Sequence, residues 1–188
     1  MNALAMYLYA AMVFWAPLEH HLYYEAAAIT DARYRQIAAD VAGQVQDPEE
    51  RPLFDGPNGR AQTATYVMSI FSLESGEFRA DVQFCTKSGD GGHSWGLGQS
   101  QAGKDAVCLG VRAAVHEALI QIRESRAACA DLIPEHRLAL YASGSCSRGH
   151  RESANRVNRA MTYWASHPYV TAAVPSPAAL AEVDRADQ

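Results

Sequence analysis

Glu74 is the residue of this 188-residue chain best placed for acid–base chemistry. Val67, Phe71 and Glu74 come at spacings of four and three, so the carboxyl stands where the apolar stripe of a helix meets the interior. Loss of water there disfavours the charged form and raises the pKa, which is what a general acid needs near neutral pH. Gly76 leaves room beside it for a substrate. The competing reading is a glutamate at a helix end that reaches solvent. Glu77, Asp81 and Asp90 are the candidates for a second carboxylate. Glu77 reads equally as a solvated loop charge, and Asp90, in Ser88-Gly89-Asp90-Gly91-Gly92, either reaches a cleft from its loop or is a plain turn aspartate. His93 has no second histidine at ligand spacing, so neither a metal nor another cofactor is expected. Ser143-Gly144-Ser145 lacks the strand–turn–helix context of a nucleophile elbow.

Helices must position these groups. Ala27, Tyr34, Ile37, Val41 and Val45 recur at helical spacing and predict a helix over 23–45, after which comes a polar link through 47–59 that is rich in Pro, Gly and Asp. The next helix spans 60–75 and carries Glu74 at its end. Residues 77–103 hold Gly89, Gly91, Gly92, Gly96 and Gly98 and read as a loop or small β-hairpin. A long helix is expected over 104–130, with Cys108, Val111, Val115, Leu119 and Ile122 on one face. Shorter helices are expected at 135–142 and 152–166, the last stopped by His167-Pro168. Arg148, Arg151, Arg156 and Arg159 make a basic helix face near the expected cleft, either solvated or turned toward an anionic ligand.

Composition narrows the class. Hydrophobic residues make up 48% and charged residues 20%, ordinary for one globular unit. A net charge of -5 argues against a basic nucleic-acid-binding surface, so no nucleic acid is expected as a partner. Residues 3–16 are continuously apolar, but fourteen residues of helix reach only about 21 Å, short of a roughly 30 Å hydrocarbon core. No Lys or Arg precedes Arg33, while Glu19, Glu25 and Asp31 are all acidic, which is a poor match to an export signal. Signal, membrane anchor and docked helix all stay open for this segment. Cys85, Cys108, Cys129 and Cys146 include no Cys-x-x-Cys pair; the sequence-adjacent pairing, Cys85 with Cys108 and Cys129 with Cys146, is preferred. Two disulfides point to the periplasm or the cell exterior, against the alternative of four buried thiols in a cytosolic protein.

The order of short motifs adds a resemblance. Leu73-Glu74-Ser75-Gly76 closes a helix, Trp95-Gly96-Leu97-Gly98-Gln99 comes after a Gly-rich loop, and Leu140-Tyr141-Ala142-Ser143-Gly144 comes after a long helix. Together they resemble the soluble lytic transglycosylases of the goose-lysozyme-like superfamily over roughly residues 60–164. The resemblance implies a mainly α, lysozyme-like domain with a small Gly-rich lobe that cleaves the β-1,4 bond between N-acetylmuramic acid and N-acetylglucosamine in peptidoglycan. Glu74 then matches the catalytic acid and base. Ser75 matches a hydrogen-bonding neighbour in the cleft, Gln99 a substrate-contacting glutamine, and Tyr141 the tyrosine that orients carboxylate or sugar. Trp95 would stack on a sugar face or cap the core. Gly98 stands where the family has Met, Ser143-Gly144 replaces its Asn-Ala-Gly turn, and residues 77–93 lack its usual Asn-Pro-x-Ala stretch.

On this resemblance the chain divides into an apolar helix at 1–18, a helical extension and linker at 19–59, the catalytic domain at 60–167 and an Ala/Pro-rich tail at 168–188. Two alternatives accompany it. One is a hydrolytic lysozyme using Asp90 or Asp81 as second carboxylate, and the other is a non-catalytic peptidoglycan-binding part of a secretion, conjugation or phage assembly.

Overall fold

The computed structural model describes residues 1–21 and 23–170. The tail expected at 168–188 lies outside them from residue 171 onward. The fold is mainly helical: α1 Ala3–Trp15, α2 Ala27–Gln46, α3 Gly59–Glu74, α4 Ala80–Gln83, α5 Lys104–Val107, α6 Val111–Ala128, α7 Ala139–Ser143 and α8 His150–Ser166. Among the described residues the only β-pairing is two isolated bridges, Gly89 with Ser94 and Trp95 with Ser100, inside the Gly-rich lobe.

Helix α3 is the centre of the molecule. It packs against α1, α2, α6 and α8, and its buried residues run unbroken from Thr63 to Ser72, on every face rather than along one stripe. That is the pattern of a helix surrounded by partners. It also carries Glu74 out of the core at its carboxyl end.

The apolar segment at the amino terminus is part of this core. Leu4, Leu8, Ala11, Met12 and Trp15 of α1 are buried in the same cluster as Ile37, Val67, Phe71 and Leu119, and α1 lies along α2 and α3. Asn2 caps α1 by accepting the Ala5 amide at 2.9 Å. Burial of an aliphatic side chain such as Leu8 contributes about 2 kcal/mol from transfer alone. Among the described residues, no helix is long and apolar enough to cross a membrane.

Several boundaries differ from those the periodicity predicts. Helix α2 starts at Ala27 rather than at residue 23, because Tyr23 and Tyr24 are exposed and Glu25, in the preceding turn, takes the Thr30 hydroxyl at 2.8 Å and the Arg33 guanidinium at 2.8 Å. The helix expected over 104–130 is two. Gly110, with φ of 143°, adopts a conformation barred to side chains, and Leu109 is turned 83% into solvent. Cys108, next to that break, is bonded to Cys85. The segment expected as one helix over 135–142 is a turn at Pro134–His136 and then α7. The second disulfide, Cys129–Cys146, ties the end of α6 to the turn after α7. Two disulfides place the chain in an oxidising compartment.

Candidate functional site

Glu74 is the last residue of α3, and beyond it the backbone enters an unusual turn. Gly76, Glu77 and Phe78 all have φ near +60°, two of them without the freedom of glycine. The turn is held from inside. Phe78 is fully buried, its amide donates to Ser75 Oγ at 2.8 Å, and its carbonyl accepts from Arg33 Nη1 at 2.5 Å. Tyr34 Oη donates to the Glu77 carbonyl at 3.3 Å. Arg33 and Tyr34 belong to α2, so a helix outside residues 60–167 fixes the backbone beside Glu74.

An open groove of about 660 Å³ runs past this point. Glu74, Asp90, Gln99 and Tyr141, four residues expected from four separate stretches of sequence, all line it. Gln101, Gln121, Glu124 and Ser143 add to its polar wall. The Gly-rich lobe supplies Asp90 and Gln99, α6 supplies Gln121 and Glu124, and α7 supplies Tyr141.

The Glu74 side chain is 17% exposed and paired with Arg156 of α8, whose side chain is 11% exposed. Arg156 Nε donates to Oε1 at 2.8 Å and Nη2 donates to the same oxygen. Among the described residues Oε2 takes no hydrogen bond, so one carboxyl oxygen is fixed and the other is left for the groove. Burial raises the Glu74 pKa above the ordinary glutamate range, Arg156 opposes that rise by both charge and hydrogen bond, and the negative Asp90 adds to it. Burial wins. The result is a carboxyl whose protonated form is favoured over that of an ordinary glutamate and that has a guanidinium ready to hold its anion.

Tyr141 Oη donates to the Gly98 carbonyl at 2.5 Å, and burial together with the nearby Glu74 charge raises its pKa, keeping it a neutral phenol. This contact explains the glycine at position 98. A Cβ there would stand 3.0 Å from the Phe71 ring and 3.2 Å from Tyr141 Oη, so a side chain at this position requires the ring or the phenol to give by a few tenths of an ångström. Gln99 borders the groove, but its amide is turned into the lobe: Nε2 donates to the Gly96 carbonyl and Oε1 accepts from Ser94 Oγ, each at 3.0 Å. Its role in this geometry is to rigidify the loop that carries Asp90.

The other expected residues lie elsewhere. Ser75 is 1% exposed and its hydroxyl donates to the Phe71 carbonyl while accepting from Phe78, so it staples the turn and does not line the groove. Trp95 is outside the lining as well, its ring lying 4.7 Å from the Lys104 ammonium. Asp81 pairs with Arg79 at 2.5 Å in a separate pocket shared with Tyr24 and Arg33, which removes it as a partner carboxylate for Glu74. Glu77 engages His20 at 2.6 Å and Arg159 at 3.7 Å. The expected basic face is divided: Arg148 lies before α8 and is exposed, Arg151 is exposed on α8, Arg156 is buried on Glu74, and Arg159 pairs with Glu77.

The pairing of Arg156 with Glu74 is the part of the site that the sequence reading did not anticipate. The signal was available, since Ser153, Arg156, Val157, Ala160 and Tyr163 share the inward stripe of α8, and an arginine on an apolar stripe needs a buried acidic partner. Among the described residues no group of His, Cys, Asp and Glu side chains could hold a metal ion. A scan against protein-family models, a search of curated proteins and a search of solved structures each return no match.

Proposed function

We propose that the chain is a peptidoglycan-cleaving glycosidase of the lytic transglycosylase type, built on a lysozyme-like domain and acting on the β-1,4 bond between N-acetylmuramic acid and N-acetylglucosamine. The observation that carries the reading is one half-buried carboxyl, Glu74, with a raised pKa on the wall of a groove that Asp90, Gln99 and Tyr141 also line. Glycoside cleavage requires such a protonated acid beside the leaving oxygen.

In this mechanism Glu74 Oε2 gives its proton to the glycosidic oxygen as the bond to the anomeric carbon breaks. Positive charge develops on the sugar ring. Arg156, already on Oε1, stabilises the carboxylate left behind. The same carboxylate then takes the proton of the substrate's 6-hydroxyl as that oxygen closes on the anomeric carbon, giving a 1,6-anhydro product and restoring the acid. Tyr141, hydrogen-bonded to Gly98, shapes the wall next to the reacting ring. The substrate and the two disulfides together support a periplasmic or extracellular site of action.

One observation favours a second reading. Asp90 borders the same groove and its charge acts on Glu74, so it is positioned as a base for water in a hydrolytic, lysozyme-type reaction. The test is digestion of purified sacculi, with the products read by mass spectrometry. The wild-type protein is expected to release anhydro-muropeptides, and Glu74→Gln is expected to release none while keeping the wild-type circular dichroism, with a lowered unfolding temperature because Arg156 loses its buried acidic partner. Products heavier by one water that disappear in Asp90→Asn establish hydrolysis instead. Binding of sacculi without release by the wild-type protein refutes both and leaves a wall-binding part of a secretion, conjugation or phage assembly.

A further inference from the structure

On the flank of α6 opposite the groove, three arginines line a cleft of about 260 Å³. Arg123 and Arg126 lie one turn apart on α6, and Arg51 joins them from the link before α3, with Pro52 and Leu53 also lining the cleft. Gln121 and Glu124 face the groove, and residues two positions further along a helix are turned by about 200°, so cleft and groove share a helix but not a surface.

A triple-arginine cleft is unexpected in a chain of net charge -5. Two of its members are fixed before any ligand arrives. Arg123 Nη2 is held by Glu50 Oε1 at 2.6 Å, and Arg126 Nη1 donates to the Leu53 carbonyl at 3.0 Å with its guanidinium 5.3 Å from the Phe54 ring centre. Glu50 is itself only 4% exposed and also binds His116 at 2.8 Å. Burial would raise the Glu50 pKa, but Arg123, His116 and Gln44 together hold it below the usual carboxylate range, so it stays an anion and neutralises one arginine. Arg51 and Arg126 form no ion pair among the described residues. Two positive charges are left over, and the buried Nε of Arg123 is a donor without an acceptor.

We propose that this cleft binds oxyanions of the phosphate class carrying two negative charges between them, held by the guanidinium groups of Arg51, Arg123 and Arg126. Guanidinium presents paired N–H donors that match two oxygens of a phosphate group, and two uncompensated charges match a dianion better than a single carboxylate. The two charges come either from one free phosphate dianion or from two neighbouring, singly charged phosphodiesters of a polymer. Binding here is independent of glycan cleavage, since none of the three arginines lines the groove.

Isothermal titration of the full chain at constant ionic strength tests it, with inorganic phosphate in one arm and an oligomer of glycerol phosphate in the other. Saturable binding is expected, and Arg51→Gln with Arg126→Gln is expected to weaken it at least about tenfold, because each substitution removes a charge-assisted hydrogen bond. Arg123 is left intact in that variant because it anchors Glu50. Tighter binding of the oligomer per phosphate identifies a polymer as the source, and equal binding identifies the free ion. Absence of saturable binding in both arms, or binding that the double variant keeps at full strength while its thermal unfolding matches the wild type, overturns the proposal.

Discussion

Replacing Arg156 by Met isolates what the guanidinium does to Glu74. The side chain keeps most of its apolar bulk in the α3–α8 contact, while the charge and both hydrogen bonds to Oε1 disappear. Burial and the Asp90 charge then act on Glu74 unopposed, and both push its pKa up. An opposite charge at this distance is worth about 1–3 pKa units, so removing it should raise the Glu74 pKa by that amount, equivalent to roughly 1.4–4 kcal/mol. Linkage sets the sign of the pH effect. A carboxyl whose folded pKa exceeds its unfolded one stabilises the fold fully below the unfolded pKa, and that stability is lost as pH rises through the folded pKa. In the wild-type protein this loss is completed just above the raised Glu74 pKa. In Arg156→Met it continues about 1–3 units higher, so the variant is closest to wild type in acid and weakest at neutral and alkaline pH. Urea unfolding from about pH 3 to about pH 9 measures the stability across the range where a carboxyl with a raised pKa titrates, and carbon-13 NMR of the Glu74 carboxyl measures the titration directly. A Glu74 midpoint unchanged or lowered in the variant, or a stability deficit that does not vary with pH, refutes the reasoning.

Gly98→Ala drives a methyl into the Phe71 ring and Tyr141 hydroxyl and should cost about 1–3 kcal/mol in thermal unfolding; a neutral result would mean that the lobe shifts freely on α3. Leu8→Ala should cost about 2–5 kcal/mol, because Leu8 is fully buried between α1 and the core, and a value near zero would show that α1 is not docked in solution. Cys129→Ser with Cys146→Ser opens a loop of sequence separation 17 and should lower stability by about 3 kcal/mol, read from urea unfolding as a lower midpoint with a steeper slope, because the denatured chain without the cross-link exposes more surface. The Glu74→Gln digestion tests the chemistry itself.

Helical periodicity and turn chemistry were enough to indicate a mainly α chain, to place Glu74 at the end of its helix and to prefer the two disulfide pairings that the structure contains. These are local properties, set by spacing of a few residues and by which loops are short enough to close. The α5–α6 break was harder to read because apolar residues continue through it in helical register, and a single glycine at φ of 143° interrupts them. Tertiary packing alone decided which polar groups converge. Ser75 and Gln99 sit in motifs that look like substrate contacts, yet one staples the turn after α3 and the other braces the Gly-rich lobe. Asp90 and Asp81 are both loop acids by sequence and indistinguishable there, but only Asp90 reaches the groove, since Arg79 holds Asp81 elsewhere. Arg156 lies 82 residues from Glu74, and no local rule pairs them. Both sit on inward faces of helices that the core forces together, and a buried charge in that position must find its opposite.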